Sequence, residues 1–325
     1  MPNGLYVVDF HAHLQDCLTQ DRLCKEDRNS PMFKHAAPII ERVAQFSEPV
    51  YSTFVRSIAA TYHDKFSSFY SAMGHIVLIE TLRLFKEYGV ERLLTSMDKH
   101  GIDHAVILSL EPLTKTQNIL ELVQPFRDRL SVFASVHRDE TDSVGYLRNF
   151  VDAGVVTGLK IHPIVGGFAC GELYHKVKDS VAFASERQLP ILIHTGHIPV
   201  NQLKGISGCS ELRALEPLFI EFPKAKFVLA HIGWEQWRQV LSMGKKYPNI
   251  SVETSWQSAS VIRRAVDVLG ASRVIFGSDF PLFNQEYALE QVRNALTDRE
   301  FVEVASVNAK RLLKLEKTPT SKVVG

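Results

Sequence analysis

The chain has 325 residues, a formal net charge of +1 and 22% charged residues, so its charge does not argue for a nucleic-acid or anionic-membrane partner. Its 45% apolar content suits a globular core, its longest apolar runs are too short to span a bilayer, and its N-terminus lacks the basic-then-apolar order of a secretory leader. Cys17, Cys24, Cys170 and Cys209 form no CxxC pair and no dense framework, which leads us to expect reduced thiols in a cytoplasmic protein.

In chain order, the first element is an apolar run from Leu5 to Phe10, closed by His11 and His13. A long irregular stretch follows to about His75, then helical patterns at Ile76 to Tyr88 and Val90 to His100. From there short runs rich in Val, Ile, Leu and Phe alternate with amphipathic segments. The strand candidates are His104 to Leu108, Leu130 to Val136, Val156 to Ile161, Pro190 to Ile193, Lys226 to Ala230, Ile250 to Glu253 and Arg273 to Phe276. The helix candidates between them are Asn118 to Arg127, Asp142 to Ala153, Lys176 to Arg187, Glu211 to Glu221, Glu235 to Lys246 and Ala259 to Leu269. Glu286 to Leu296 and Glu300 to Leu315 end the pattern, and a loose tail begins near Lys317.

Eight strands, each followed by helix, are what an α/β (β/α)8 TIM barrel needs. A doubly wound open sheet also alternates strand and helix, but it would carry a Gly-rich phosphate loop after its first strand. Here that position holds His-Ala-His, and the lone Gly166-Gly167 pair reads as a turn. The expectation is one domain over 1–325, with a long insertion after strand 1 at about 14–75.

The barrel gathers the C-terminal ends of its strands around one mouth. His11 and His13 end the first run, His194 the fifth and His231 the sixth, and Asp279 follows the eighth. Side chains two apart on a strand share a face, so His11 and His13 can turn toward one ion across the small Ala12. Four imidazoles and one carboxylate at one mouth suggest a divalent metal and an activated water. The bland alternative, hydrogen-bonded polar residues at strand ends, explains one such residue better than five.

Four segments carry a family resemblance: Val8-Asp9-Phe10-His11-Ala12-His13, Ile193-His194-Thr195-Gly196, Leu229-Ala230-His231-Ile232-Gly233-Trp234 and Phe276-Gly277-Ser278-Asp279-Phe280-Pro281. They resemble the amidohydrolase superfamily, in particular its branch related to aminocarboxymuconate-semialdehyde decarboxylase. Asn308-Ala309-Lys310-Arg311-Leu312-Leu313 is similar to that branch's closing helix. The likeness spans nearly the whole chain outside the insertion, and it does not name the reaction.

The resemblance implies that His11, His13 and His194 ligate one metal, zinc or manganese, with zinc the first expectation. It implies that Asp279 ligates the ion and moves the proton of the attacking water, and that His231 bonds that water or polarises the substrate. A bound divalent ion can lower the pKa of water from 15.7 toward about 7. Lys160 stands where two-metal relatives carry a carbamylated bridging lysine, but its Lys-x-His-Pro context also occurs in the one-metal branch. There, pairing with a carboxylate or a substrate anion fits better. Lys160, His162, His197, Trp234 and Trp256 are candidate substrate contacts. His100, His104, His137 and His175 sit at helix ends or connections, where solvated or capping roles are common.

The insertion mixes Phe33, Tyr51, Phe54, Tyr62, Phe66, Phe69 and Tyr70 with Arg56, His63 and Lys65. That composition suits a lid over an aromatic or carboxylated substrate, and equally a homodimer contact. The functional expectation is a cytoplasmic metal-dependent hydrolase of a small carboxylated, lactone or amide substrate. Two alternatives stand beside it: a non-oxidative decarboxylase of an aromatic or enol carboxylic acid, and a non-catalytic binding protein with a vestigial site. Decarboxylases of the branch often show glutamate where His11 stands, which tilts the sequence toward hydrolysis.

Overall fold

The computed structural model describes residues 4–14, 89–196 and 209–315. The insertion from Gln15 onward, the helical pattern at Ile76 to Tyr88, His197 and the C-terminal tail lie outside those residues.

Eight parallel strands pair in sequence order: β1 (Val8–Ala12), β2 (His104–Leu108), β3 (Leu130–Ser135), β4 (Gly158–Ile161), β5 (Pro190–Ile193), β6 (Lys226–Leu229), β7 (Ile250–Glu253) and β8 (Val274–Ile275). The ring closes between β8 and β1. Phe10 N donates to Phe276 O at 2.9 Å, Asp279 N to His11 O at 2.7 Å and His13 N to Phe280 O at 2.7 Å. Helices α1 (Val90–His100), α2 (Thr116–Val123), α3 (Ser143–Asp152), α4 (Leu173–Glu186), α5 (Glu216–Glu221), α6 (Trp237–Lys246) and α7 (Ala259–Leu269) lie between successive strands, and α8 (Gln285–Ala295) follows β8. The fold is the (β/α)8 barrel expected from the alternation.

Strand alternation divides the apolar residues into two cores. Val8, Phe10, Val106, Leu108, Phe133, Leu192, Val228, Ala230 and Ile275 fill the barrel. Their strand neighbours, such as Ile107, Val132, Leu159, Ile161 and Val252, pack outward under the helices. Gly158 is required because a Cβ there would lie 2.5 Å from the Phe133 ring. Leu312 and Leu313 of α10 (Asn308–Leu313) join the inner core. Lys310 lies over the Tyr6 ring and Lys314 Nζ reaches Arg187 O, so this last helix crosses the base of the barrel. The chemistry is thereby left to the opposite mouth.

Several sequence expectations change, and three of the changes have a cause in the packing. The first strand runs from Val8 to Ala12, because a register shift between Asp9 and Ala12 keeps it paired with β2 past Phe10. The expected helix from Glu300 to Leu315 is divided into α9 (Asp298–Val302), a π-helical turn at Glu303–Val307 and α10. The wide turn accompanies a bond from Phe276 N to Val304 O at 2.9 Å, which takes a helix carbonyl for the end of β8. The third change is a correction: Cys170 and Cys209 form a disulfide and are not reduced thiols. The loop after β4 and the segment before α5 run side by side, with Cys209 N donating to Phe168 O at 2.7 Å. That adjacency is tertiary, so the spacing of the cysteines carries no sign of it. Among the described residues no helix is long and apolar enough to cross a membrane.

Candidate metal centre

His11, His13 and Asp279 are all buried, and their ligand atoms lie within 4.8 Å of one another. His11 Nε2 is 3.2 Å from His13 Nε2, and each is 3.2 Å from Asp279 Oδ1. The tautomers decide what this means. His13 Nδ1 lies 2.9 Å from the Leu108 carbonyl, which can only accept, so Nδ1 carries the hydrogen and Nε2 is a bare lone pair. His11 Nδ1 faces the Glu253 carboxylate at 2.9 Å, which leaves His11 Nε2 bare in the same way. Two lone pairs and a carboxylate oxygen held this close repel one another. A cation among them turns the repulsion into ligation, so the donor set fits a divalent ion.

A second set, His11, His231 and Glu253, also meets within 4.8 Å. Its atoms already satisfy each other: Glu253 accepts from His11 Nδ1, from His231 N at 3.2 Å and from Ser255 Oγ at 2.8 Å. The first set is therefore the better cation site. His194 falls in neither set. Its Nδ1 lies 3.1 Å from His231 Nε2, and its Nε2 is buried without a hydrogen-bond partner.

Backbone strain aims these groups. After β6 the chain turns through four left-handed residues, His231 (φ 59°), Ile232 (φ 46°), Gly233 (φ 77°) and Trp234 (φ 52°). Non-glycine residues there cost about 1–2 kcal/mol each. Gln257 Nε2 holds the turn by donating to His231 O at 2.6 Å and Trp234 O at 3.1 Å. Asp279 and Trp256 are also left-handed, both at φ 63°. Trp256 Nε1 donates to Asp279 Oδ2 at 2.5 Å, leaving Oδ1 to face the histidines.

Burial dominates the electrostatics. It pushes His11, His162, His194 and His231 well below the usual histidine range, so each is held neutral, as ligation requires. It also pushes the Glu253 carboxyl up to about 7 and Lys160 down to about 7. For Asp279 burial acts upward and the Trp256 indole N–H, donating to Oδ2, acts downward, and the carboxyl is held below its ordinary range.

The remaining candidates gather at the same mouth, apart from His197, which lies outside the described residues. His162 stacks on His194 with centroids 4.0 Å apart and planes at 6°. Trp234 and Trp256 are half-buried with centroids 5.1 Å apart, and Phe283 lies 4.4 Å beyond Trp256. Lys160 is fully buried near the end of β4, its Nζ without a hydrogen-bond partner.

Sequence reasoning missed Glu253 as a functional group, although it ends a strand at the mouth as the histidines do. Gly277 serves it, since a Cβ there would lie 2.3 Å from Glu253 Oε1. Asp9, inside the quoted first motif, also went unassigned. It locks β1 to the loop after β8 by accepting from Ser278 Oγ at 2.6 Å, Ser278 N at 2.9 Å and Gln285 Nε2 at 2.8 Å.

The chain belongs to the amidohydrolase family, whose profile matches residues 83–315. No curated protein matches it. Among solved structures, an uncharacterized TIM-barrel protein from Bordetella bronchiseptica is 13% identical with TM-score 0.64, over 95% of this chain and 99% of its own. A 5-carboxyvanillate decarboxylase from Novosphingobium aromaticivorans, complexed with manganese and 4-hydroxy-3-methoxy-5-nitrobenzoic acid, is 14% identical with TM-score 0.59, over 97% and 98%. A 2,6-dihydroxybenzoate decarboxylase from Rhizobium is 18% identical with TM-score 0.54, over 70% and 88%. At these identities the likeness is one of fold.

Proposed function

We propose that the protein is a metal-dependent lyase that removes CO2, without oxidation, from a small aromatic or enolic carboxylic acid. The observation that carries this reading is a buried donor set beside an aromatic wall. His11, His13 and Asp279 meet within 4.8 Å, and Trp256, which bonds Asp279, packs against both Trp234 and Phe283. That combination suits a flat ring with oxygen substituents. The fold shared with two decarboxylases of benzoic acids lends support.

In this reading His11, His13 and Asp279 hold the ion, with His194 Nε2 as a further donor. A zinc or manganese ion bound there would supply positive charge to offset the negative charge of substrate oxygens. Asp279 and His231 hold and move the proton. The ring carbon bearing the carboxylate takes a proton, its bond to the carboxylate breaks, that electron pair returns to the ring, and CO2 leaves. Trp234 and Trp256 wall the ring, His162 contributes a contact, and burial excludes water from the reacting carbon.

A second reading is hydrolysis of a lactone or amide. It is favoured by His11, which stands where decarboxylases of the resembled branch often carry glutamate. The deciding experiment loads the protein with manganese or zinc and monitors CO2 release from hydroxybenzoates beside hydrolysis of lactones and amides. CO2 release with no ester or amide cleavage supports the lyase. The reverse result replaces it with the hydrolase.

A further inference from the structure

We propose that Lys160 is the site's receptor for a substrate oxyanion, one that the substrate keeps through the reaction. The inference deepens the lyase reading and rests on it for the reaction, though not for the binding. On β4, Leu159 and Ile161 pack into the outer core, so alternation turns Lys160 into the barrel. Among the described residues it is the only lysine or arginine that is buried, and its Nζ is buried with no hydrogen-bond partner. It stands one residue before the end of β4 and pairs in register with Leu192, two residues before His194, which places it at the mouth end of its strand.

The neighbouring carboxylates are committed elsewhere. Glu253 accepts from His11 Nδ1, His231 N, Ser255 N and Ser255 Oγ. Asp279 offers Oδ2 to Trp256 and turns Oδ1 toward His11 and His13. A divalent ion at that cluster would offset the charges of Asp279 and Glu253 and leave the lysine's charge uncompensated. Burial pushes the lysine toward its neutral form, and an incoming monoanion favours the ammonium by supplying the partner it lacks.

Catalysis restricts which oxyanion this can be. Pairing the cation with the departing carboxylate would stabilise the ground state and slow the loss of CO2. The oxygen on Lys160 is therefore one that stays. The substrate class is an acid with two acidic oxygen groups, a hydroxylated aromatic acid or an aromatic dicarboxylate.

Calorimetric titration of metal-loaded protein with benzoate and with the neutral isostere benzamide tests the receptor without turnover. Wild type should bind benzoate at least tenfold tighter than benzamide. Lys160→Met should weaken benzoate about 10- to 100-fold, the worth of a hydrogen bond to a charged group, and leave benzamide and metal content unchanged. Lys160→Arg should recover part of the preference. Equal binding of the two probes by wild type, which requires no variant, would overturn the proposal. So would a Met variant that keeps its preference for benzoate. CO2 assays separate the two ideas. Benzoate binding through Lys160 with no CO2 release from any hydroxybenzoate would remove the lyase and keep the receptor. CO2 release with a Lys160-independent benzoate preference would keep the lyase and remove the receptor.

Discussion

Glu253 Oε2 sits 2.9 Å from His11 Nδ1 and also accepts from Ser255 Oγ, which in turn lies 2.7 Å from His231 Nδ1. One carboxylate thus fixes the hydrogens of both imidazoles on Nδ1, which leaves His11 Nε2 bare toward His13 and Asp279 and His231 Nε2 to accept from His194 Nδ1. Glu253→Gln keeps the volume but presents an amide N–H2 to groups that need an acceptor. Loss of such an outer partner typically weakens metal affinity 10–100-fold. The competitive metal titration of Glu253→Gln should fall in that range with unchanged circular dichroism, and an unaltered affinity would show the contact to be passive.

In the proposed reading Asp279 both holds the ion and moves the proton, whereas His231 moves the proton alone. Each of Asp279→Asn and His231→Asn should cost about 100- to 10,000-fold in turnover, the usual scale for a general acid or base. Elemental analysis should find the ion nearly intact in His231→Asn, since His11, His13 and Asp279 meet without it, and partly lost in Asp279→Asn. An empty but folded His231 variant would make it a ligand. Near-wild-type turnover in both variants would remove the site from the mechanism.

The barrel was legible, and with it the meeting of His11, His13 and Asp279, for one reason: parallel strands buried on both faces read as short apolar runs, and their ends face one mouth. His104–Leu108, Pro190–Ile193, Ile250–Glu253 and Ala259–Leu269 match the sequence boundaries to the residue. What escaped depends on contacts distant in sequence. Glu253 is recognisable only once β7 stands beside β6 and β8. The π turn in the closing helix depends on the end of β8, and the Cys170–Cys209 pair on two neighbouring loops. His104, grouped in sequence with solvated histidines, is buried at the start of β2 with Ser131 Oγ at 2.8 Å.

The disulfide joins residues 39 apart, so in the chain-entropy picture its loss costs roughly 2–4 kcal/mol. Urea unfolding with and without reductant, and of Cys170→Ser, should shift by that amount. Under denaturing, non-reducing conditions Cys170 and Cys209 should resist alkylation. Full labelling of both would show that the thiols are free.

His104 predicts how stability responds to acid. Burial pushes this imidazole from 6.5 down to about 4, against a smaller upward pull from a backbone bond at Asp128. The folded protein therefore holds it neutral, while the unfolded chain takes a proton once the pH falls below 6.5. Stability from this group is complete above pH 6.5 and is lost as the pH falls toward 4, by about 3 kcal/mol in total at 1.36 kcal/mol per pH unit. The neutral histidines of the mouth push in the same direction, so the comparison must isolate His104. Urea unfolding of wild type and His104→Gln at pH 7.5 and pH 5 does so. The variant starts less stable, because it disturbs the contact with Ser131, but it should lose about 2 kcal/mol less between the two pH values. Parallel losses would mean that His104 titrates normally in the folded protein, and that its burial at the base of the barrel carries no proton linkage.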